Sequence, residues 1–242
     1  MTEFKDATDA DRKAFAEVTH YLSRDPEARK IQAEIDKEKI PVQIVHDRKD
    51  QYHPDTRTID WDPHSALVVT DEFGHALGVQ SSAMGLLHEE AHATDKKFAE
   101  HQKKHNVDYE NDAEAHAVGV EDRAAKILGE PQRFNHYGLT LPEADSLEHT
   151  QFRKDGSQVW VGGDGKVKGT FSPGAVPEAA PRTSWRSFDS GSDSPVGKVG
   201  QEMDAARDYV RALQQSRGGE AAAAPAPDIG LAMRAAQQLG RD

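Results

Sequence analysis

The segment His88-Glu89-Glu90-Ala91-His92 constrains the fold more than any other part of this sequence. Two histidines four positions apart lie next to each other when the segment is helical, because residues i and i+4 are neighbours on a helix surface. Both imidazoles can then reach one ion, and Glu89 lies beside that ion. The segment therefore predicts a helix that carries a metal site.

The same five residues match the pattern HExxH, and chance is a poor explanation for the match. With 12 histidines in 242 residues, the composition gives an expectation of roughly 0.04 chance matches. The chain has no cysteine, so any metal must be held by His, Asp or Glu. Zinc held by three such groups keeps a position for water and polarises a carbonyl group. Glu89 is then predicted to be the general base that takes a proton from this water during attack on a peptide carbonyl.

A third metal ligand must come from outside the HExxH segment. No glycine turn brings in a third histidine, because residues 93–95 are Ala, Thr and Asp. The next helical segment is predicted over residues 109–128 and offers the candidates Glu110, Glu114, His116 and Glu121. The two glutamates seven positions apart, Glu114 and Glu121, share a helix face, so one can bind metal while the other orients a ligand.

The end of the metal helix bears on which of these glutamates is the ligand. If that helix ends near residue 97, His92 lies opposite Glu114 in an antiparallel helix pair. If it continues unbroken through residues 97–104, which are good helix formers, the residue that lies opposite His92 is closer to Glu121. The spacing leaves both possibilities open.

Local patterns predict the elements that precede the metal helix. Residues 9–36 have apolar side chains at helical spacing with a break near Pro26, which predicts two short helices. Residues 39–45 and 56–61 are β-prone and predict a pair of strands. Residues 73–78 have the composition of a loop.

The two central helices have predicted ends. Ser81 or Ser82 is expected to supply an oxygen acceptor that caps the metal helix, which begins at Ala83. Gly129 and Pro131 are expected to end the following helix, because glycine readily adopts the left-handed conformation and proline cannot continue a helix.

Composition divides the chain into three predicted parts. Residues 1–140 are predicted to form a metallopeptidase domain of α+β class, with a small sheet over the metal helix and a backing helix. Residues 141–172 contain β-prone runs separated by glycine turns, which predicts a β-meander extension. Residues 173–242 are rich in Pro, Ala, Ser and Gly, and the two short helices predicted within this tail need a partner to stay folded.

Charge and hydropathy narrow the class of partner. The net charge is −12 and the mean hydropathy is −0.78, and this charge repels phosphate backbones and anionic membrane surfaces. We therefore expect a protein substrate, no nucleic acid and no membrane partner. The first residues contain no apolar signal-peptide core, so we expect a soluble protein that is exported by another route. The tail is a candidate docking segment for secretion machinery or a chaperone.

Three ordered segments resemble a known family. IDWDPHSALVV (residues 59–69), LLHEEAHA (residues 86–93) and EAHAVGVEDRAAKILGEPQRFNHYG (residues 114–138) are similar to the zincin metallopeptidases of bacterial effectors and toxins, of the NleD type, including Rhs-associated toxin domains. The resemblance covers roughly residues 40–138. It departs from the family pattern at Glu90, where an apolar residue is usual, and at residues 121–122, where Glu-Asp replaces Glu-Asn.

The resemblance implies a fold, a site and an activity. It implies a minimal zincin-like domain in which zinc is held by His88, His92 and Glu114, with Glu89 as the base. It also implies endopeptidase activity on a protein of a target cell, after delivery by a specialised secretion system. Such a protein is a secreted virulence factor or toxin.

The end of the resembling region supplies candidates for transition-state stabilisation. The family ending is matched by Gly129, Pro131, Arg133 and Tyr137. Tyr137 is predicted to donate a hydrogen bond to the tetrahedral oxyanion, with Arg133 or His136 as alternatives. The remaining histidines are interpreted as surface or loop residues: His20, His46, His53, His64, His75, His101, His105 and His149.

Two other classes of function stay open. The first is a non-catalytic zinc-binding interaction protein, although pure metal binding does not require Glu89. The second is a cytosolic housekeeping peptidase with a regulatory tail, which the lack of a signal peptide does not distinguish from an effector.

Overall fold

The structure is a computed structural model that describes residues 7–47, 49–70, 76–107, 109–133, 136, 139–141, 144–155 and 157–171. Its helices are α1 (Asp9–Leu22), α2 (Pro26–Glu38), α3 (Ser82–Thr94), α4 (Phe98–His101) and α5 (Asp112–Leu128). Its first strands are β1 (Val42–Ile44), β2 (Gln51–His53), β3 (Thr58–Trp61), β4 (Ala66–Thr70) and β5 (Ala76–Gln80). The later strands are β6 (His105–Asn106), β7 (Glu110–Asn111), β8 (Leu139–Leu141), β9 (His149–Phe152), β10 (Gln158–Val161) and β11 (Val167–Phe171).

Helices α1 and α2 confirm the two short helices predicted over residues 9–36. Thr8 caps α1, because its side chain accepts from the backbone N–H of Asp11 while the Asp11 carboxylate accepts from the backbone N–H of Thr8. Asp25 caps α2 by accepting from the backbone N–H groups of Glu27 and Ala28, and Pro26 follows at a position where its missing N–H is not needed. The chain therefore breaks between the helices where the proline predicted it.

The first sheet has the strand order β1-β3-β2. Strands β1 and β3 pair in parallel, with Val42 aligned to Ile59, which confirms the predicted pairing. Strand β2 is antiparallel to β3 at the opposite edge. Trp61 at the end of β3 is fully buried, and its Nε1 donates to the carbonyl of Ser82 at 2.9 Å. This bond ties the first sheet to the start of α3.

The second sheet has the order β5-β4-β8, and every residue of β4 is buried. The predicted loop is wrong for residues 76–78, which belong to β5 and pair with β4. Residues 71–75 lie outside the described part of the chain. Close packing explains the glycine in this strand, because a Cβ at Gly78 would lie 2.3 Å from Thr150 Oγ1.

Strands β9, β10 and β11 form the predicted meander, with β10 in the centre and antiparallel pairing on both sides. It contacts β5 through side-chain hydrogen bonds to the backbone. The N–H of Val79 donates to Thr150 Oγ1 at 2.8 Å, and Gln158 Nε2 donates to the carbonyl of Leu77 at 2.6 Å. The tail over residues 173–242, with its two predicted helices, lies outside the described residues.

Helix α3 occupies the centre of the core. It contacts α1, α2, α5 and the strands β2, β3 and β4, and every residue from Ser82 to Ala93 is buried. The predicted apolar flank of Leu86, Leu87 and Ala91 is completely buried. The polar residues of the HExxH segment are consequently enclosed by protein on a helix that has no solvent-facing side before Thr94.

The prediction for the start of α3 is wrong in two details. The helix begins at Ser82 and not at Ala83, and Ser81, its N-cap residue, makes no side-chain capping bond. The buried carboxylate of Glu130 is the reason, because Ser81 Oγ donates to Glu130 Oε1 at 2.7 Å and the Ser81 N–H donates to Oε2 at 2.8 Å. The hydroxyl group of Ser82 donates to the carbonyls of Pro63 and Ser146.

Helices α3 and α5 pack against each other. The residues at which they begin and end decide between the two predicted alignments, one with His92 opposite Glu114 and one closer to Glu121. Helix α3 ends at Thr94, and α4 and the β6–β7 ribbon separate it from α5. The unbroken helix through residues 97–104 is therefore wrong. Helix α5 is capped by Asn111 and ends before Gly129, which has the left-handed φ of 86° as predicted. No helix among the described residues is long and apolar enough to cross a membrane.

Candidate metal centre

Three side chains from α3 and α5 meet in the buried space between these helices. His88 Nε2 lies 3.1 Å from His92 Nε2, and Glu114 Oε2 lies 3.1 Å from the first nitrogen and 3.2 Å from the second. Ligand atoms at the corners of a zinc tetrahedron with bonds of about 2.0–2.1 Å lie about 3.3 Å apart. The three atoms therefore fit one small divalent cation with only a slight outward adjustment.

Glu121 contacts the opposite side of the His88 ring. Its Oε2 lies 2.9 Å from His88 Nδ1 and 3.0 Å from Arg133 Nη1. A carboxylate only accepts hydrogen bonds, so Nδ1 carries a proton, and Nε2 would present its lone pair to a cation that takes the place of the second ring proton. Glu121 thus orients a potential ligand, whereas Glu114 supplies the atom at the centre. The two glutamates have the division of roles that their seven-residue spacing permits.

The electrostatics of the centre require a positive charge between the carboxylates. Burial alone would lower the pKa of His88, but hydrogen bonds to Glu114 and Glu121 and the charge of Glu89 raise this pKa to about 9. Burial would raise the pKa of Glu114, but hydrogen bonds from three histidine rings hold it well below its usual range. A proton on a ring or a cation among the rings must supply the balancing charge. The donor set is therefore suited to a divalent metal ion.

His136 is a third buried ring at the centre. Its Nε2 lies 2.9 Å from Glu114 Oε2, and its ring stacks on that of His88 at 5.4 Å between centroids. Burial lowers the pKa of His136 to about 4, so the ring is neutral and its Nε2–H donates to the carboxylate. Arg133 Nη2 donates to the His136 carbonyl. His136 therefore positions Glu114, a contact that the sequence did not predict.

Glu89 is buried but is separate from the three clustered ligand atoms. Its Oε2 accepts the backbone N–H of Tyr52, at the edge strand β2, at 2.8 Å. This bond fixes one carboxylate oxygen, as a proton-transfer group requires. No sequence signal indicated Tyr52 in this role, because the donor is a backbone group of a strand that the pattern did not predict.

The other candidate residues fall into distinct places. Glu110 lies in β7, where burial and then the charge of Glu114 raise its pKa to about 7. His116 is on an exposed part of α5, with its ring 6.3 Å from that of His101. Arg133 is buried in its ion pair with Glu121, so it is engaged in supporting the site. Tyr137, the predicted oxyanion donor, lies outside the described residues.

Two aromatic rings, those of Phe98 and Tyr52, lie beside the His92 side of the centre. The Phe98 ring of α4 meets the His92 ring edge-on at 5.2 Å and the Tyr52 ring at 5.4 Å. Helix α4 thus covers a potential ligand, which explains how a four-residue helix contributes to the site.

Comparisons of the chain with models of protein families, with curated proteins and with solved structures found no match.

Proposed function

We propose that the protein is a zinc-dependent endopeptidase of zincin type that hydrolyses a protein of a target cell, as a translocated bacterial effector or toxin. The observation that carries the proposal is the convergence of His88 Nε2, His92 Nε2 and Glu114 Oε2 within hydrogen-bond distance of one another. The second element is Glu89, which lies on the same helix and outside this group. The delivery route follows from the family resemblance alone.

The residues of the centre have separate roles in this proposal. His88, His92 and Glu114 would hold zinc, which when bound lowers the pKa of a water molecule and polarises a substrate carbonyl. Glu89 accepts the proton of the attacking water and passes it to the leaving amine. Glu121 keeps the proton of His88 on Nδ1, so that Nε2 stays available as a ligand.

The charge distribution of the centre supports metal binding independently of the motif. Glu114 receives hydrogen bonds from both ligand histidines and from His136. An ion at this point replaces a proton as the positive charge, and the low dielectric constant of the buried site strengthens the attraction. Ligands on two helices that already pack together also need little ordering when the ion binds.

Substitution of Glu89 tests the proposal. Wild type and Glu89→Gln are compared for zinc content by metal analysis and for cleaved peptides in a target-cell lysate by labelling of new N-termini. The variant should retain one zinc ion at this centre and lose proteolysis by about 10²–10⁴-fold, because Glu89 transfers protons and does not coordinate. Glu17→Gln, on the exposed face of α1, is the matched control and should behave as wild type.

Each outcome has a defined meaning. Loss of zinc in Glu89→Gln would contradict the assignment of Glu89 as base. Identical peptide patterns in wild type and variant would refute catalysis at this centre. A wild-type protein that binds zinc and cleaves nothing in any lysate would favour the non-catalytic interaction protein.

A further inference from the structure

A second group of potential ligands lies at the protein surface. Asp11 belongs to the first turn of α1, His46 follows β1, and His64 lies in the turn between β3 and β4. One ligand atom from each lies within 4.8 Å of the other two, and His46 Nε2 is 3.5 Å from Asp11 Oδ2. Three separate elements thus bring two imidazoles and a carboxylate together, although the sequence pattern indicated ordinary surface histidines.

The hydrogen bond of His64 determines which of its nitrogens can bind a metal. His64 Nδ1 lies 3.0 Å from the carbonyl oxygen of Ala144. A carbonyl only accepts, so Nδ1 carries the proton of the neutral ring and Nε2 carries the lone pair. Metal-binding histidines commonly donate their second N–H to a carbonyl in this way. The contact therefore gives His64 the tautomer and the fixed orientation of a ligand.

Asp11 supplies a fixed negative charge beneath the two rings. The residue is 3% exposed, and its Oδ2 accepts from both the N–H and the hydroxyl group of Thr8 at 2.8 Å. The capping box explains why Asp11 follows Thr8. It does not explain why two histidines from other elements approach the same carboxylate.

The two histidines are mutually arranged for a shared ion. Their rings are nearly parallel, with an interplanar angle of 28° and centroids 6.1 Å apart. The side chain of His46 is exposed, so its ring can rotate at low cost to shorten its distances to the other two ligands towards the roughly 3.3 Å of a zinc tetrahedron, while His64 keeps the orientation that Ala144 gives it. Carboxylate and imidazole ligands suit zinc and the neighbouring transition metals.

We infer that Asp11, His46 and His64 bind one transition-metal dication, with water completing its coordination. The ion links the N-terminal turn of α1 to the chain after β1 and to the turn that precedes β4. The ion stabilises the packing of α1 against these two segments. This inference is independent of the peptidase proposal, because none of its ligands belongs to the buried centre.

Zinc binding to the full-length protein tests the inference. Wild type, His46→Ala/His64→Ala and the control His20→Ala, an exposed histidine of the same helix α1, are titrated by equilibrium dialysis with metal analysis. Wild type and control should bind two ions in two events. The double variant should retain the tighter event and lose the weaker one, and either single variant should weaken that event by at least about tenfold.

Thermal unfolding supplies the second readout. Zinc added beyond the first equivalent should raise the melting temperature of wild type and of His20→Ala, because an ion that binds only the folded state stabilises it. The double variant should show no such rise. Retention of the weaker event in the double variant would overturn the inference, and so would uptake by wild type of a single ion that the double variant also binds. His88→Ala should abolish only the tighter event, which separates failure of this site from failure of the buried centre.

Discussion

Glu90 is a buried carboxyl group that should destabilise the fold at neutral pH. It is 2% exposed, and its Oε2 has no hydrogen-bond partner among the described residues. Burial, and then the charge of Asp36, raises its pKa from 4.5 to about 8. The sequence resemblance predicts an apolar residue at this position. A buried carboxyl group in its place destabilises the folded state when it is ionised.

The sign and size of the effect follow from proton linkage. The unfolded chain releases this proton near pH 4.5, whereas the folded protein retains it until about pH 8. Stability is therefore lost progressively as the pH rises from 4.5 through 8, because the folded state binds more protons in this interval. At pH 7 the loss is about 3 kcal/mol. This is a large part of the roughly 5–15 kcal/mol that stabilises a typical domain.

Urea unfolding of Glu90→Gln measures this loss. The substitution removes the ionisable group and nearly preserves the shape of the side chain. The free energy of unfolding of the variant should therefore be about 3 kcal/mol larger than that of wild type at pH 7, and the difference should shrink towards pH 5. Equal metal content in both proteins cancels the contribution of the buried centre. Glu17→Gln, an exposed carboxyl on α1, should follow the wild-type curve. Parallel pH profiles for wild type and Glu90→Gln would refute the reasoning.

Further predictions address the ligands, the core and the tail. Glu114→Ala should reduce zinc affinity far more than Glu121→Ala, for which a loss of about 10–100-fold is expected. Competition with a chromophoric chelator measures both affinities. The reverse order would overturn the ligand assignment. Tyr21→Phe removes a buried 2.8 Å hydrogen bond to Glu130 and should lower the free energy of unfolding by about 1–3 kcal/mol in urea, and an unchanged value would show that this bond adds no net stability. Removal of all residues after about Arg182 should leave cleavage of a generic unfolded substrate nearly unchanged, because the composition of that segment predicts no core. An inactive or insoluble truncated protein would instead indicate that the tail packs on the preceding part of the chain.

Local signals predicted the elements that carry the site. The break at Pro26, the glycine after α5 and the turns of the meander each act within a few residues of the structure that they define, so they can be interpreted without knowledge of the fold. The HExxH segment likewise places His88 and His92 on one face by helix geometry alone. The choice of Glu114 needed the end of α3, which the helix-forming residues 97–104 obscured.

The misses arise from contacts between distant parts of the chain. Strand β4 is buried on both faces and lacks the alternation that marks a strand with one exposed face. Ser81 donates to Glu130, which is 49 positions away, and no local rule for caps includes that competitor. The interpretation of His149 as a surface or loop residue is wrong. Strand β9 packs against β5, and His149 is only 5% exposed.

The position of α3 has a consequence for how the chain can be made and moved. This helix is enclosed by α1, α2 and β3 from the sequence before it and by α5 from the sequence after it. A nascent chain that ends before residue 128 therefore lacks one wall of its own core. We expect such a chain to stay unfolded on the ribosome and to complete its core only late in synthesis. Machinery that transports the protein as an extended chain can act before α5 has been synthesised, while the core is still incomplete. After folding, such machinery must first remove α5 from α3, and this removal opens the core.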